Sequence, residues 1–117
     1  MITNTSNKKV ISKKYKTLNS VLSKSIGLMF SRKSKLKDNS LVFSFKKPTK
    51  ASFHMFFVFY PIDLVLLDNS NKVVEIKENF KPFTLYFPKK TYSRALELPE
   101  GTIERVDLFL NNQIAFK

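Results

Sequence analysis

No cysteine occurs among the 117 residues, and there are one histidine and only two glycines. Each scarcity removes a class of chemistry. Without cysteine and with His54 as the single imidazole, zinc sites of the Cys/His kinds have no ligand set. Two glycines cannot supply GxGxxG, and neither precedes a Lys-Ser or Lys-Thr pair, so dinucleotide and P-loop phosphate cradles are excluded. No GxSxG elbow is present, and a Ser-His-Asp hydrolase would have to use His54 as its base. Missing too is an unbroken apolar run of membrane length. The most apolar stretch, HMFFVFYPIDLVLLD at 54–68, is interrupted by Pro61 and Asp63, whereas a spanning helix needs about 20 apolar residues.

Acidic residues are scarce in one part of the chain only. Residues 1–50 hold 13 Lys and Arg against the single acid Asp38, while residues 51–117 hold eight of each sign, so the whole net charge of +12 belongs to the first 50 residues. A field of that kind attracts polyanions. Codons rich in A and T also yield an excess of Lys, Asn, Ile and Phe, so charge alone names no partner. The opening MITNTSNKKVISKKYK has no apolar run after its charges and lacks the pattern of a secretory signal. A cytoplasmic protein is expected, with residues 1–16 as a basic, flexible segment and 17–117 as one domain.

What is abundant is hydrophobic residue, 43% of the chain with 12 Phe, ample for one core. Leu18, Val21, Leu22 and Ile26 recur at helical spacing between Thr17 and Gly27, which predicts a helix over 18–26. Strands are predicted at 41–45 and at 51–60, where both alternating faces are apolar; Met55, Phe57 and the other Phe are placed in the core, with 51–60 as a central strand. Leu64–Leu67, the turn residues DNSN at 68–71 and the alternating 72–77 read as a hairpin. Short strands follow at 83–87 and 94–98, then a helix of about two turns opened by Pro99 and Thr102 and ending near Val106, then a last strand at 114–116. The fold class expected is mainly β (α+β), a barrel-like, mostly antiparallel arrangement with two short helices.

Four separated motifs then resemble one family. GLMF at 27–30, HMFFVFYPIDLVLLD at 54–68, VVEIKENFKP at 73–82 and LELPEGTIE at 96–104 stand in the order and at the distances of domain-of-unknown-function family 192. The His-Met pair at 54–55 is similar to its archaeal branch, where bacterial relatives carry Trp-Met. The resemblance implies a small, mostly β fold and no established activity. Relatives commonly place Arg directly after GLMF; here Ser31 intervenes before Arg32, which in a strand would turn the guanidinium to the opposite face. Where relatives have Gly-Asp before the final strand, this chain has Asn111-Asn112, and Asn tolerates the left-handed turn conformation.

The polar residues set inside these apolar motifs are His54, Asp63 and Glu97. An ionised carboxylate within PIDLVLL must find donors or be neutralised. Asp63 reads either as part of a ligand pocket with Glu97 and His54, or as a structural acceptor of backbone N–H groups after the Pro61 bend; Glu97 reads alternatively as a partner of Arg94 or a lysine. The leading expectation is a monomeric module that binds a small polar ligand or a partner through His54, Asp63 and Glu97, with no catalytic residue, no metal, no cofactor and no membrane. One alternative is a hydrolase-like enzyme with Asp63 and Glu97 as acid and base. Another is an RNA- or ribosome-associated protein, with weak, sequence-independent nucleic-acid binding through Lys8, Lys9, Lys13, Lys14, Arg32 and Lys33.

Overall fold

The computed structural model describes residues 1–18 and 39–117. Among the described residues, in chain order, the strands are β1 (Ile2–Asn4), β2 (Lys9–Ser12), β3 (Lys14–Leu18), β4 (Asn39–Thr49), β5 (Phe53–His54), β6 (Ile62–Leu67), β7 (Val73–Phe80), β8 (Leu85–Tyr86), β9 (Tyr92–Pro99) and β10 (Ile114–Phe116), with a short helix, α1 (Thr102–Arg105), between the last two. The protein is mainly β, as expected.

Strands β6 and β9 lie inside a five-stranded sheet of order β3-β4-β9-β6-β7, in which only the β3–β4 pair is parallel. All six residues of β6 are buried. A strand covered on both faces gains by being apolar at every position, which is why IDLVLL shows no polar alternation. The sheet does not close into a barrel. Instead it is covered on both sides, and its two faces define two cores. One face carries Val42, Val65, Leu67, Leu96 and Leu98, packed against Ile2, Ile11, Ile103, Val106 and Ile114 from the sheet β10-β1-β2 and from α1. The other carries Leu41, Phe43, Leu64, Leu66 and Ala95, packed against Met55, Val58, Tyr60 and Tyr92, with Phe53 and Tyr86 of the β5–β8 pair added at the margin.

The hairpin predicted around DNSN forms between β6 and β7. Asp68 Oδ1 accepts from the N–H groups of Ser70 (2.8 Å) and Lys72 (2.9 Å), and Asn71 takes φ 62°, the local bonding that makes Asp and Asn turn residues. Asn111, in the turn expected before the final strand, adopts φ 71°. The final strand coincides with its predicted span, and the helix is shorter, a single turn whose C-cap is Val106.

Four expectations are corrected. The central strand expected over 51–60 is not one: only Phe53–His54 is extended, and Phe57 at φ 59° reverses the chain, so Met55, Val58 and Tyr60 turn inward while Phe56, Phe57 and Phe59 are exposed. Alternation could not reveal this, because both faces of the stretch are equally apolar. Strand 83–87 shrinks to Leu85–Tyr86 because Phe83 also has φ 59°. Residues 1–16, expected ahead of the domain, instead supply β1, β2 and most of β3, with Ile2 and Ile11 buried. Thr17 and Leu18, expected to open a helix, end β3; the rest of that helix lies outside the described residues, as do GLMF, Arg32 and Lys33.

Candidate functional site

Asp63 is 1% exposed and points toward the N-terminal strands and α1. Its Oδ1 accepts from the Asn79 N–H at 3.0 Å and its Oδ2 from the Ile103 N–H at 2.9 Å. Each contact has a structural cause. The β6–β7 register shifts between Ile62 and Leu64, and Asn79 at φ 50° aims its N–H inward. Gly101, at the N-cap of α1 with φ 86°, has no side chain to bond the first free N–H groups of the helix, and Asp63 supplies that bond from a neighbouring strand. Asp63 thus accepts a backbone N–H group with each of its oxygens.

Glu97 is on the opposite face. In register it lies between Leu41 of β4 and Leu64 of β6, and the row continues across β6 to Lys77 of β7. Strand spacing sets the Cα atoms of Lys77 and Glu97 about 10 Å apart with Leu64 between them. The adjacent row runs Glu75, Leu66, Ala95, Phe43. Glu97 keeps only 9% of its surface accessible, and among the described residues none hydrogen-bonds its carboxyl. Arg94, its expected partner, donates instead to Asn71 Oδ1 at 2.6 Å. Burial without a compensating donor pushes the carboxyl up to about 8, so it is protonated at neutral pH.

Glu75 is a different kind of acid on that same face. It accepts from the Tyr86 hydroxyl, from the Lys89 N–H and, at 3.0 Å, from the Lys90 N–H, tying β7 to the segment after β8. Burial, the bond to Glu75 and its charge together push the Tyr86 phenol up to about 12. The Lys77 ammonium stands 6.0 Å from the centroid of the same ring. Glu75, Lys77 and Tyr86 were not singled out from the sequence, for a physical reason. In VVEIKE the alternation assigns Glu75 and Lys77 to a solvent face, and only the register with β6 shows that they flank Leu66 and Leu64 on the covered side.

His54 is exposed on β5, where its Nδ1 accepts from the Phe56 N–H at 3.3 Å and its ring stacks on Phe56. The three expected pocket residues are therefore not brought together: His54 is on an outer surface, and Asp63 and Glu97 are separated by the sheet. Of the basic set, Lys8, Lys9, Lys13 and Lys14 are exposed on β2, β3 and their connections, and Lys9 pairs with Asp107. Lys13 and Arg105 line an open groove of about 430 Å³ between β2 and the start of α1, and the Arg105 guanidinium is bonded to the Ile11 carbonyl at 2.8 Å. Among the described residues no three His, Asp or Glu side chains converge as a metal site would require, and no helix is long and apolar enough to cross a membrane.

With this geometry in view, similarity to known proteins is informative about lineage and fold. A UPF0127 protein of Thermococcus kodakarensis is 34% identical over 110 residues, covering 92% of this chain and 68% of that protein. Another from Thermococcus sibiricus is 35% identical over 77 residues, which are 64% of this chain and about half (49%) of that protein's length. Among solved structures, a Sinorhizobium meliloti protein named as a candidate transcription regulator superposes with a TM-score of 0.80 at 19% identity, over 86% of this chain and 79% of that one. A protein of unknown function from Novosphingobium aromaticivorans gives 0.79 at 20% identity, over 87% and 74%. These two likenesses establish the fold alone. Residues 2–116 match the profile of the family described as Uncharacterized ACR, so the chain belongs to domain-of-unknown-function family 192, with archaeal relatives.

Proposed function

We propose that this domain binds a small polar molecule against the sheet face that bears Glu97, and that it does so without catalysing a reaction. The observation that carries the reading is Glu97 itself. A buried carboxyl that finds no donor among the described residues is costly to keep, and a bound molecule would offset that cost. In its protonated form Glu97 both donates and accepts, the buried Leu64 and Leu41 make its surroundings apolar, and Lys77 supplies a cation at the far end of the row. Such a surface suits a molecule with an acidic or carbonyl end, a short apolar middle and a second hydrogen-bonding group.

Asp63 has no place in this site, because both its oxygens are used and it faces the other core. That geometry also weighs against a hydrolase using Asp63 with Glu97, since one substrate would have to touch both sides of a covered sheet. A thermal-shift screen with small carboxylic acids and amides tests the reading. At least one compound should raise the melting temperature of the wild type and do so far less in Glu97→Leu and Lys77→Met. Hits that stabilise all three proteins equally, or an absence of hits, would remove it. Turnover with a bell-shaped pH profile that vanishes in Glu97→Leu would replace binding by catalysis.

A further inference from the structure

The β5–β8 pair and the turns beside it carry the largest exposed apolar surface among the described residues. Phe56, Phe57, Phe59, Phe83, Leu85 and Phe87 are between 43% and 68% exposed. They form one surface. Met55 and Phe83 are joined by a 2.7 Å backbone bond and Met55 and Thr84 by one of 2.8 Å, the rings of Phe57 and Phe59 pack edge-on against Phe83 at 6.0 and 5.4 Å, and His54 stacks on Phe56. Across the pair, Phe53 and Tyr86 point to the core while His54 and Leu85 point away from it.

Phe57 and Phe83 each hold φ 59°, a conformation that is unfavourable for a bulky residue and that Gly or Asn would adopt at less cost. Exposure at those positions returns little burial in exchange. A surface that is both strained and apolar is a mark of recognition. The segments that carry it are basic, and among the described residues the acid shown against them is Glu75, which accepts from the Tyr86 hydroxyl and from the Lys89 and Lys90 N–H groups. Residues 44–62 and 80–93, which contain the whole patch, hold six lysines and no acid, and Lys46, Lys47, Lys50, Lys81, Lys89 and Lys90 are all exposed.

We propose that this face is a docking surface for an anionic lipid bilayer, with Phe59, Phe87 and Leu85 entering the headgroup boundary and the six lysines holding the lipid phosphates. This departs from the expectation of no membrane contact, which rested on the lack of a spanning segment and does not bear on surface attachment. Charge and ring geometry select the lipid over other occupants. A second copy placed isologously would set one lysine rim against the other. Single-stranded nucleic acid stacks on free ring faces, whereas Phe56, Phe57, Phe59 and Phe83 are already packed against His54 or one another.

The test is co-flotation of the full chain with vesicles of phosphatidylcholine and phosphatidylglycerol at about 2:1, beside pure phosphatidylcholine vesicles. The mixed vesicles should carry the protein, the neutral ones far less, and raised salt should weaken the attachment. Phe59→Ser combined with Phe87→Ser changes two exposed residues, so its melting temperature should match the wild type while partitioning falls about tenfold or more. Lys89→Glu with Lys90→Glu, which keeps the backbone bonds to Glu75, should reduce binding to the mixed vesicles alone. No partitioning, or partitioning unchanged in the Phe variant, overturns the proposal. So does binding of oligouridine, or self-association, that is lost in the Phe variant while vesicles leave the protein in solution.

Discussion

The two faces of the five-stranded sheet each bury one acid among aliphatic residues, and they treat it in opposite ways. On the side closed by β1, β2, β10 and α1, Asp63 meets two backbone N–H groups and secures the start of the helix. On the side covered by the β5–β8 pair, Glu97 lies in a row with Leu41, Leu64 and Lys77, has no hydrogen-bond donor among the described residues and is neutralised. Asp in PIDLVLL and Glu in ALELP look alike as sequence. The difference is that Asp63 meets backbone donors across its core, whereas among the described residues no donor reaches the Glu97 carboxyl. A structural acid and a candidate ligand-binding acid are thereby separated by one residue of β-strand phase.

The first consequence is the largest. If the Asp63 face is a closed core, its lid cannot be removed, even though the lid is the basic stretch expected to lie ahead of the domain. Deleting residues 1–12 takes away Ile2 and Ile11, each at most 3% exposed. At about 2–5 kcal/mol for each lost large side chain, set against a total stability of about 5–15 kcal/mol, the truncated chain should show no cooperative melt. A truncation that melts like the full chain would mean that the N-terminal strands cover nothing essential.

Next in size is the pH response of the other face. Glu97 has its carboxyl raised from 4.5 to about 8 in the folded protein, so the folded state holds a proton that the unfolded chain releases between those values. Its contribution is complete below about pH 4.5 and is lost as pH rises toward and through 8, a fall on the order of 4 kcal/mol. Glu97→Gln should flatten that part of the stability curve and leave the mutant the more stable protein at pH 8. Denaturant titrations at pH 5 and 8 read the difference, and parallel curves for mutant and wild type would mean that Glu97 is ionised and solvated.

Asp63→Asn comes third. The side chain keeps its shape, but one oxygen becomes an NH2 group facing an N–H donor, a loss of about 1–3 kcal/mol. Under the proposed function, ligand response should survive in this variant and be lost in Glu97→Leu. The reverse pattern would move the site to the α1 side of the sheet.

Legibility followed the physics of each signal. The β6–β7 hairpin was readable because Asp68 and Asn71 bond locally and the turn needs nothing from afar. The strand at 114–116 was readable as a short apolar run after a turn. The Asp63 role was readable as a requirement for donors, but the donors themselves, 16 and 40 residues away, were not. Residues 51–60 failed because apolar character was equated with burial; Phe57 and Phe59 are apolar and exposed. The pocket of His54, Asp63 and Glu97 failed because a place in a motif says nothing about which face of a sheet a residue takes.

The smallest effect separates what closes the Asp63 face from what decorates it. Lys9 and Asp107 form an ion pair that links β2 to the segment after α1, close to where Ile11 is buried and where the Arg105 guanidinium bonds the Ile11 carbonyl. Both charged side chains are about half exposed, at 47% and 58%, so water screens the pair and the two side chains lose rotamer freedom to form it. Exposed pairs of this kind contribute about 0–1 kcal/mol. Lys9→Ala should therefore shift the midpoint of denaturation only slightly, and less still at high salt, whereas Ile11→Ala, two residues along the same strand, should cost about 2–5 kcal/mol. If Lys9→Ala proves as damaging as Ile11→Ala, the N-terminal strands are held by charge and not by the core, and the contrast between the two faces loses its basis.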